Sequence, residues 1–480
     1  MERPIDSDTG SSPGPEKSAG EAAQSAGEAA QSAAAPLASE YFNTPALPVD
    51  RELTGRSMRQ SALVTRTRRE VSRDEPSKNA QLLTRAGYVE RLMAGVYSYL
   101  PLGQRVLANL ERIIREEMTR IGSQEVLLPA LQPRENWDKT GRWETVDVLY
   151  KLRGDGQRRG DGQRELTLGP THEEVVTPLI GSFIRSYRDL PCSVFQIQTK
   201  FRNEARAKSG LLRGREFRMK DMYSFHESLE DLDAYYERVQ EAYRRVFERC
   251  GLGAVTFLTF ASGGAFSRYS HEYQTVTPHG EDLIYLSTEK GLAINHEILE
   301  ETRNLPEWKG VELAETKAIE VGNIFKLGTR FSDAFELSFQ AKDGSRKPVY
   351  MGCYGLGSTR LMGALVEVHH DDQGILWPAE VAPFSLHFVS LFRPGEESAP
   401  ADQLYEKLTR AGHSVLYDDR EVSPGEKFKD SDLLGIPNRL VISPRTLKQG
   451  AVEFKSRNSK ESLPVSIDDL FNLGPETLKP

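Results

Sequence analysis

The chain has 480 residues, of which 38% are hydrophobic and 28% charged, so its size and composition predict a globular protein of two or three domains. Its net charge of −8 argues against a protein that coats nucleic acid generally, although a local basic face for RNA stays open. No stretch approaches the roughly 18 apolar residues of a membrane span, so we expect no membrane partner. Three widely spaced cysteines favour a reducing compartment over a disulfide framework or a zinc site.

Residues 1–57 differ in composition from the rest of the chain. They are rich in Ala, Ser, Gly, Pro and Glu, and residues 18–24 repeat at once as 25–31. Such a segment buries no core, so we predict a disordered tail over 1–57. An apolar secretory segment is missing and acidic residues argue against a mitochondrial presequence, so we expect a cytoplasmic protein. Met58 is a candidate start of translation or of the ordered chain.

The next segments predict alternating helices and strands. Apolar residues at helical spacing predict a helix over 103–121, with Gly122 suited to end it. Residues 126–131 form a strand pattern that proline interrupts, which indicates an edge or interface position. A doubled pentapeptide within 151–164 predicts an exposed turn, and no phosphate site, since no helix follows it.

Residues 201–217 carry the most informative pattern. Arg202 and Glu204 are two residues apart, so in a strand they would share one face. A basic loop with a glycine follows, and then Arg213 and Phe217. A strand-loop-strand hairpin of this kind offers arginines to phosphates, a carboxylate to an exocyclic amine and a phenyl ring to a purine. The pattern predicts an ATP site without a Walker loop; a surface hairpin with an ion pair is the alternative.

Two further segments are suited to bind a ligand. Thr171 and Glu173 can hold an ammonium group by charge-assisted hydrogen bonds. The same letters fit a helix start, with Thr171 as the cap and Glu174 at the capping-box position. The glycine-rich run that ends at Arg360 predicts close backbone approach to a ligand, with the arginine in the first turn of a helix that favours polyphosphate. A tight packing turn is the alternative there.

The remaining patterns predict the rest of the architecture. We predict a helix over 229–250, strands and turns over 253–290, and a strand followed by a helix that ends at 368. Neighbouring strand residues face opposite ways, so Ser270, His271 and Glu272 form no triad, and His271 is predicted to be structural. No histidine spacing supports a metal site built from protein ligands alone. After Pro383, alternating strands and helices predict a separate small α/β domain.

These segments, in this order, resemble class II aminoacyl-tRNA synthetases, and most closely the prolyl-tRNA synthetase family. The likeness spans nearly all of 58–480 and is carried by residues 58–61, 94–103, 169–174, 211–225 and 352–360. The resemblance implies an α+β catalytic domain over 58–382, with an antiparallel sheet and flanking helices. It also implies an α/β anticodon-binding domain over 383–480 and a homodimer whose interface lies in 103–131.

The resemblance also assigns site residues. It implies that Arg202 and Arg360 are catalytic, and that ATP is bound by Arg202, Glu204, Arg213, Phe217, Glu320, Asn323 and Arg360. Within that set Phe217 stacks on adenine opposite Arg360, and Glu320 and Asn323 lie near the ribose. It places proline against Thr171, Glu173, Arg202, Tyr223, Phe225, Phe325 and Cys353. It assigns tRNA binding to Arg420, Lys427, Phe428 and Lys429. Mg²⁺ is expected with ATP, beside Glu204.

The implied reaction is the activation of L-proline by ATP to prolyl-adenylate, followed by transfer to tRNA(Pro). About twenty residues separate Glu297 from Thr316, which is too few for the editing domain of many bacterial relatives. We therefore expect no editing within the chain, and leave open a separate editing factor. The loop 205–210, Asn323 and the run 261–267 depart from the usual family pattern. Two alternatives are a non-catalytic paralogue and an enzyme that loads a carrier protein.

Overall fold

The computed structural model describes residues 58–70, 77–153, 165–264, 266–302, 305–306, 308–393 and 395–472. The predictions for the tail 1–57 and for the turn at 154–164 therefore lie outside the described residues. Within the described ranges, no helix is long and apolar enough to cross a membrane.

A nine-stranded sheet forms the centre of the larger region, with the strand order β11-β10-β13-β12-β14-β17-β9-β8-β4. Its strands are β4 (Gln124–Glu125), β8 (Cys192–Phe201), β9 (Glu216–His226), β10 (Thr256–Ser262), β11 (Tyr269–Val276), β12 (Asp282–Ser287), β13 (Leu292–Asn295), β14 (Ala314–Gly328) and β17 (Tyr350–Leu356). Six of its eight neighbouring strand pairs are antiparallel, as expected for the predicted α+β fold, and the pairs β10–β13 and β4–β8 are parallel.

Three helices cover one face of this sheet: α2 (Pro101–Arg120), α6 (Leu229–Arg249) and α9 (Ser358–Val368). All three were predicted, α2 from apolar spacing. Helices α2 and α6 lie within two residues of their predicted bounds, and α9 ends at the predicted residue. Helix α2 ends beside Gly122, whose φ of +87° suits glycine. Glu117 is fully buried between α2 and α6, where it accepts hydrogen bonds from Arg245 and Arg249.

The alternation of strand residues separates the two faces of the sheet. On β9 and β17, Met222 and Tyr354 point into the core beneath the three helices. Tyr223, Phe225 and Cys353 point into a second core on the opposite face. Because side chains alternate along a strand, the residues predicted to line a proline pocket share that second face.

The strand predicted over 126–131 is wrong in its extent. Strand β4 ends at Glu125 and β5 (Leu131–Pro133) begins at Leu131, so the residues between them are irregular. Pro129 has no N–H to donate, and the N–H of Leu128 donates instead to the side chain of Gln196. Two side chains of this segment are exposed to an unusual degree for leucine, Leu127 at 76% and Leu131 at 54%.

The C-terminal region contains a six-stranded sheet in the order β1-β19-β18-β20-β21-β22. Its strands are β1 (Met58–Arg59), β18 (Leu386–Ser390), β19 (Val415–Asp418), β20 (Asn438–Ile442), β21 (Ala451–Ser456) and β22 (Leu463–Ser466). It packs with α10 (Ala399–Arg410), α11 (Pro424–Leu434), α12 (Pro444–Lys448) and α13 (Asp469–Asn472). The α/β elements predicted after Pro383 are confirmed. The domain boundary at 382/383 stays a prediction, and β1 crosses it by pairing with β19.

Smaller elements connect these regions. They are α1 (Lys78–Arg85), β2 (Val89–Met93), β3 (Val96–Tyr99), α3 (Arg134–Lys139), α4 (Arg142–Thr145), β6 (Tyr150–Arg153), β7 (Glu165–Leu168), α5 (Glu173–Gly181), α7 (Leu299–Thr302), α8 (Arg330–Ala334), β15 (Ser338–Gln340) and β16 (Arg346–Pro348). Strands β2 and β3 form a hairpin, and β5, β6 and β7 form a small sheet near α5.

Candidate active site

The hairpin of β8 and β9 is the centre of the site. The two strands pair antiparallel from Cys192 opposite Phe225 to Phe201 opposite Glu216. Strand β8 ends at Phe201, so the prediction that Arg202 and Glu204 share a strand face is wrong. The N–H of Glu204 donates to the carbonyl of Arg202 at 2.7 Å, which turns the chain sharply.

The turn still brings the predicted residues together. A depression of about 260 Å³ is lined by Arg202, Glu204, Leu211, Leu212, Arg213, Gly214, Phe217 and Arg360. Five of the seven residues that the sequence assigned to ATP therefore surround one space. We call this space, with its lining residues, the ATP half of the site.

Charges in the ATP half neutralise one another. Arg213 Nε donates to Glu204 Oε2 at 2.9 Å, and its side chain is 50% exposed. The guanidinium of Arg202 lies 5.3 Å from the centroid of the Phe217 ring, so that ring faces Arg202. Burial lowers the pKa of Arg202, and the nearby charge of Arg360 lowers it further. An anion bound here would relieve that repulsion.

Arg360 occupies the predicted place on its helix. Helix α9 begins at Ser358 after Gly357, so Arg360 lies in the first turn. Its Nη1 donates to Glu320 Oε2 at 2.8 Å, and its Nε to the carbonyl of Leu212 at 2.7 Å. These bonds join the first turn of α9 to β14 and to the loop of the hairpin, and hold the arginine at the edge of the depression.

Behind Arg360 lies a group of acids and amides. Asn323 Nδ2 lies 3.3 Å from Glu320 Oε1 and 3.4 Å from Glu272 Oε1. Burial raises the pKa of Glu272 to about 8, and the nearby charge of Glu320 contributes. Glu272 was considered from the sequence only as a member of a triad, and its place in this group was not predicted. Strand β11 pairs with β14 so that Glu272 lies opposite Asn323. Only the strand register reveals that neighbourhood.

Thr171 and Glu173 form a buried pair on the other side of Arg202. Thr171 Oγ1 donates to Glu173 Oε2 at 2.6 Å, and Cys353 Sγ lies 3.0 Å from Glu173 Oε1. Glu173 is fully buried. The alternative reading as a helix cap is wrong, because α5 begins at Glu173 and the side chain before it makes no capping bond. We call Thr171, Glu173 and the residues around them the proline half of the site.

Arg142 is the main residue that the sequence analysis missed. Its side chain is 3% exposed, and its Nη1 lies 2.8 Å from Glu174 Oε1 and 3.6 Å from Glu173 Oε2. The guanidinium also stacks 4.6 Å from the ring centroid of Phe266. A buried arginine at this place holds both carboxylates in position. No motif marks it, since it lies on a different element from the acids it contacts.

The four side chains predicted to wall the proline pocket differ in their surroundings. Tyr223 is buried, donates to Asp221 Oδ2 at 2.8 Å and accepts from the N–H of His172 at 3.0 Å. Phe225 is fully buried in the second core, so it supports the wall from behind. Phe325 is partly exposed and stacks on Phe266, with ring centroids 4.8 Å apart. Cys353 contacts Glu173, as described above.

A buried polar network supports the proline half. Lys200 Nζ lies 2.6 Å from Asp221 Oδ1 and 3.0 Å from His172 Nδ1. Burial, together with the neighbouring ammonium of Lys200, lowers the pKa of His172 to about 4, so the ring is neutral. The network fixes Tyr223 and the start of α5, and through them the geometry of Glu173.

Two of the four residues assigned to tRNA are engaged inside the C-terminal region. Lys427 is 3% exposed, and its ammonium donates to the carbonyl of Ser390 at 2.6 Å. Arg420 makes two hydrogen bonds to Asp418 and an ion pair with Asp430 at 2.9 Å. In this structure both cations therefore already hold partners within the C-terminal region, and their assignment to tRNA stays a prediction. Lys429 is exposed and Phe428 partly exposed, so both can reach a ligand.

Comparisons with known proteins cover both regions. A family model described as tRNA synthetase class II core domain (G, H, P, S and T) matches residues 150–369, and one described as anticodon binding domain matches 389–473. A proline–tRNA ligase of Geobacillus sp. is 35% identical over 86% of this chain and 99% of its own length. One of Anaplasma phagocytophilum is 38% identical with the same two coverages.

The chain belongs to the proline–tRNA ligase family.

A solved member of that family shares the fold. The prolyl-tRNA synthetase of Cryptosporidium parvum, in complex with L-proline and AMP, superposes with a TM-score of 0.67 at 18% identity. That match covers 83% of this chain and 74% of the other. The α+β core with an anticodon-binding region, expected from the sequence, is thereby confirmed.

Proline–tRNA ligases differ in length, and the alignments show how many residues of each relative lack a counterpart in this chain. The alignment with the Geobacillus protein runs over 567 residues and holds 86% of this chain, so about 150 of its positions lack a counterpart here. The alignment with the Anaplasma protein runs over 437 residues and leaves only about 25 such positions. The former difference is the size of a domain.

Proposed function

We propose that this member of the family activates L-proline with ATP and transfers it to tRNA(Pro). The observation that carries the proposal is that Arg202 lines the arginine-rich depression and also interacts electrostatically with the buried Glu173, which is bonded to Thr171. Relatives named proline–tRNA ligase at 32–38% identity support the same reaction. ATP and proline would lie on either side of Arg202, so their reacting groups would meet there.

The geometry suggests how each group acts. The carboxylate of proline attacks the α-phosphorus of ATP, and diphosphate leaves with the bonding electron pair. This step needs alignment and neutralised charge more than a protein nucleophile. Arg202 would neutralise the α-phosphate and the proline carboxylate. Thr171 and Glu173 would hold the imino nitrogen of proline, which directs the attacking carboxylate oxygen toward the α-phosphorus. The positive imino group would in turn compensate the buried carboxylate of Glu173.

Binding of ATP would exchange ion pairs in the ATP half. Glu204 now accepts a hydrogen bond from Arg213, and both are predicted to contact ATP. In the proposed complex, Glu204 accepts from the adenine amine while Arg213 and Arg360 turn to the γ-phosphate. Phe217 would then stack on the purine. The adenylate finally esterifies the 3′-terminal ribose of the tRNA, releasing AMP.

The residues beyond Arg360 fit a Mg²⁺ ion that arrives with ATP. Among the described residues, no cluster of three or more His, Cys, Asp or Glu side chains forms a metal site. Mg²⁺ usually takes only one or two carboxylates beside substrate phosphates. Glu320 would supply one, in place of the Glu204 that the resemblance suggests. The side-chain oxygens of Asn323 and Gln274 are buried without a hydrogen-bond partner among the residues that the structure describes. The ion would supply charge neutralisation for the polyphosphate.

The proposal extends to the oligomeric state and the location of the protein. Leu127 and Leu131 are exposed in the segment where the family forms its dimer, so we propose a homodimer through them. Sedimentation of Leu127→Asp as a dimer would contradict it. We also propose that the protein works in the cytoplasm without a membrane partner, which cell fractionation tests.

We further propose that the chain does not edit alanine. The alignment gap of about 150 positions and the short segment between Glu297 and Thr316 leave no room for an editing domain. A proline pocket cannot strongly reject the smaller alanine, because missing methylenes contribute little discrimination. The purified protein should therefore accumulate Ala-tRNA(Pro), and a separate editing factor would be needed. Rapid hydrolysis of Ala-tRNA(Pro) by the protein alone would contradict this proposal.

The decisive experiment is proline-dependent exchange of ³²P-diphosphate into ATP. The parent should exchange with proline, and Arg202→Ala should lose at least about 100-fold, as for loss of one group that stabilises transition-state charge. Arg346→Ala is the matched control, because Arg346 is exposed on β16 and, among the described residues, its side chain bonds only to Ser338. An inactive parent would favour a non-catalytic paralogue. Exchange without tRNA charging would favour a carrier-loading enzyme.

A further inference from the structure

Residues 58–69, here called the N-terminal segment, attach to the C-terminal sheet. Met58 and Arg59 pair with Leu416 and Tyr417 as an added parallel edge strand. Arg59 forms ion pairs with Asp402 at 2.7 Å and with Asp419 at 3.2 Å. The segment therefore begins on the anticodon-binding region, although it precedes the catalytic region in sequence.

The same segment continues past α11 to the catalytic region. Thr67 Oγ1 donates to Asp430 on α11 at 2.7 Å. One residue later, the N–H of Arg68 donates to the carbonyl of Arg85 at 2.7 Å, and its guanidinium pairs with Glu90 at 2.6 Å. Glu90 lies on β2, so the segment connects α11 directly to the β2–β3 hairpin.

That hairpin in turn contacts the loop of the ATP half. The N–H of Arg215 donates to the carbonyl of Gly95 at 2.7 Å, and its guanidinium to the carbonyl of Ala94 at 3.2 Å. A side chain on Gly95 would come within 2.6 Å of the Cβ of Ala207. The close approach needs glycine at this position. Contacts thus run without a break from α11, through the N-terminal segment, to the loop beside ATP.

The N-terminal segment is basic, although the net charge of the chain is −8. The N-terminal segment holds four arginines and no acidic residue. Arg66 is exposed and donates to the carbonyl of Leu63, and Arg69 is exposed with no carboxylate partner among the residues that the structure describes. At the two ends of the path, Lys429 on α11 and Arg206 in the loop are exposed as well.

We propose that Arg66 and Arg69 bind the phosphate backbone of tRNA between its anticodon and its 3′ end. The inference rests on the proposed function, since one tRNA must reach both the anticodon-binding region and the ATP half. The N-terminal segment is one part of the described chain that joins these two places by direct contacts. Exposed arginines on it match a phosphate backbone, which they would bind without reading its sequence.

The test compares charging of tRNA(Pro) with exchange of diphosphate, using the full chain. The double variant Arg66→Gln with Arg69→Gln should raise the KM for tRNA(Pro) about 10-fold, near threefold for each lost phosphate contact. The slope of log kcat/KM against log salt should flatten by about 2. Proline-dependent exchange needs no tRNA, and should stay within about twofold of the parent.

Two controls make the result specific. Arg346→Gln with Lys347→Gln removes the same charge from the exposed strand β16 and should leave both readouts unchanged. Arg66→Lys with Arg69→Lys keeps the charge and should restore most of the tRNA affinity. An unchanged tRNA KM and salt slope in the Gln variant, with exchange intact, would overturn the proposal. Loss of exchange in that variant would also overturn it, whereas a parent without exchange would refute the proposed function instead.

Discussion

The two halves of the site are built in opposite ways. In the proline half, Glu173 is fully buried and already bonded to Thr171, Cys353 and Arg142. In the ATP half, Arg213 is half exposed and its partner is another ATP-binding candidate, Glu204. The proline half is fixed by the fold before a ligand binds, while the ATP half must exchange its ion pairs. Substitutions should therefore cost specificity and rate in the first, and mainly affinity for ATP in the second.

The largest effect should follow from Glu173→Gln. The variant removes the charge that would pair with the imino nitrogen of proline, and a charge-assisted hydrogen bond contributes about 1.5–3 kcal/mol. We expect kcat/KM for proline in diphosphate exchange to fall about 100-fold, with the KM for ATP unchanged.

Glu174→Gln is the matched control for that prediction. Glu174 is as buried as Glu173 and contacts the same guanidinium of Arg142, but its Oε1 accepts from Thr140 on the far side of α5. Its proline kinetics should stay within about threefold of the parent. Equal losses in the two variants would show that proline binding depends on the total buried negative charge, and not on which of the two carboxylates faces the proline.

Glu204→Gln should have a smaller effect, confined to ATP. The variant weakens acceptance from the adenine amine, and a neutral hydrogen bond contributes about 1 kcal/mol, so the KM for ATP should rise about 5- to 10-fold. Steady-state exchange at varied ATP and varied proline measures both constants. A parallel rise in the KM for proline would contradict the separation of the two halves.

The comparison also explains what the sequence could and could not predict. Thr171 with Glu173, and Arg202 with the loop that follows, lie close together in sequence, so local spacing was enough to find them. Arg142 meets Glu174 across 32 positions, and only the packing of α4 against α5 brings them together. Periodicity located α2 because this helix buries one apolar face.

Contacts between distant parts of the chain also decide the surroundings of other residues. The resemblance assigned Lys427 to tRNA, yet its stem is buried and its ammonium bonds to main-chain carbonyls of neighbouring strands. A long side chain can bury its methylenes and place its charge far from its own backbone, so composition does not reveal where the charge lies. The partners of Glu272 could not be predicted because they lie on other strands.

A pH-dependent effect should come from Glu272→Gln. The pKa of Glu272 is raised by burial and by Glu320 to about 8, so the folded chain keeps a proton that the unfolded chain releases above about 4.5. The contribution of Glu272 to the free energy of unfolding is therefore complete below about pH 4.5 and is lost as the pH rises to about 8. The variant should match the parent near pH 5 and melt about 1–2 °C higher near pH 8.5, by differential scanning fluorimetry. A gap that narrows as the pH rises would contradict the raised pKa.

The smallest effect should come from Ser209, which anchors the loop of the ATP half from outside. Its φ of 62° lies in the left-handed region, and its hydroxyl donates to Glu281. Ser209→Ala removes the bond and keeps the strained backbone, so it should lower stability by about 1 kcal/mol. Ser209→Gly removes the bond and the strain together, so these terms nearly cancel. Equal melting temperatures for the Ala and Gly variants would show that the backbone there is unstrained.

Both variants release the loop, so the KM for ATP should rise about two- to threefold in each. The rise is small because the ion pair of Arg213 must open for ATP binding even in the parent. An unchanged KM for ATP would show that the bond between Ser209 and Glu281 does not affect the ATP half.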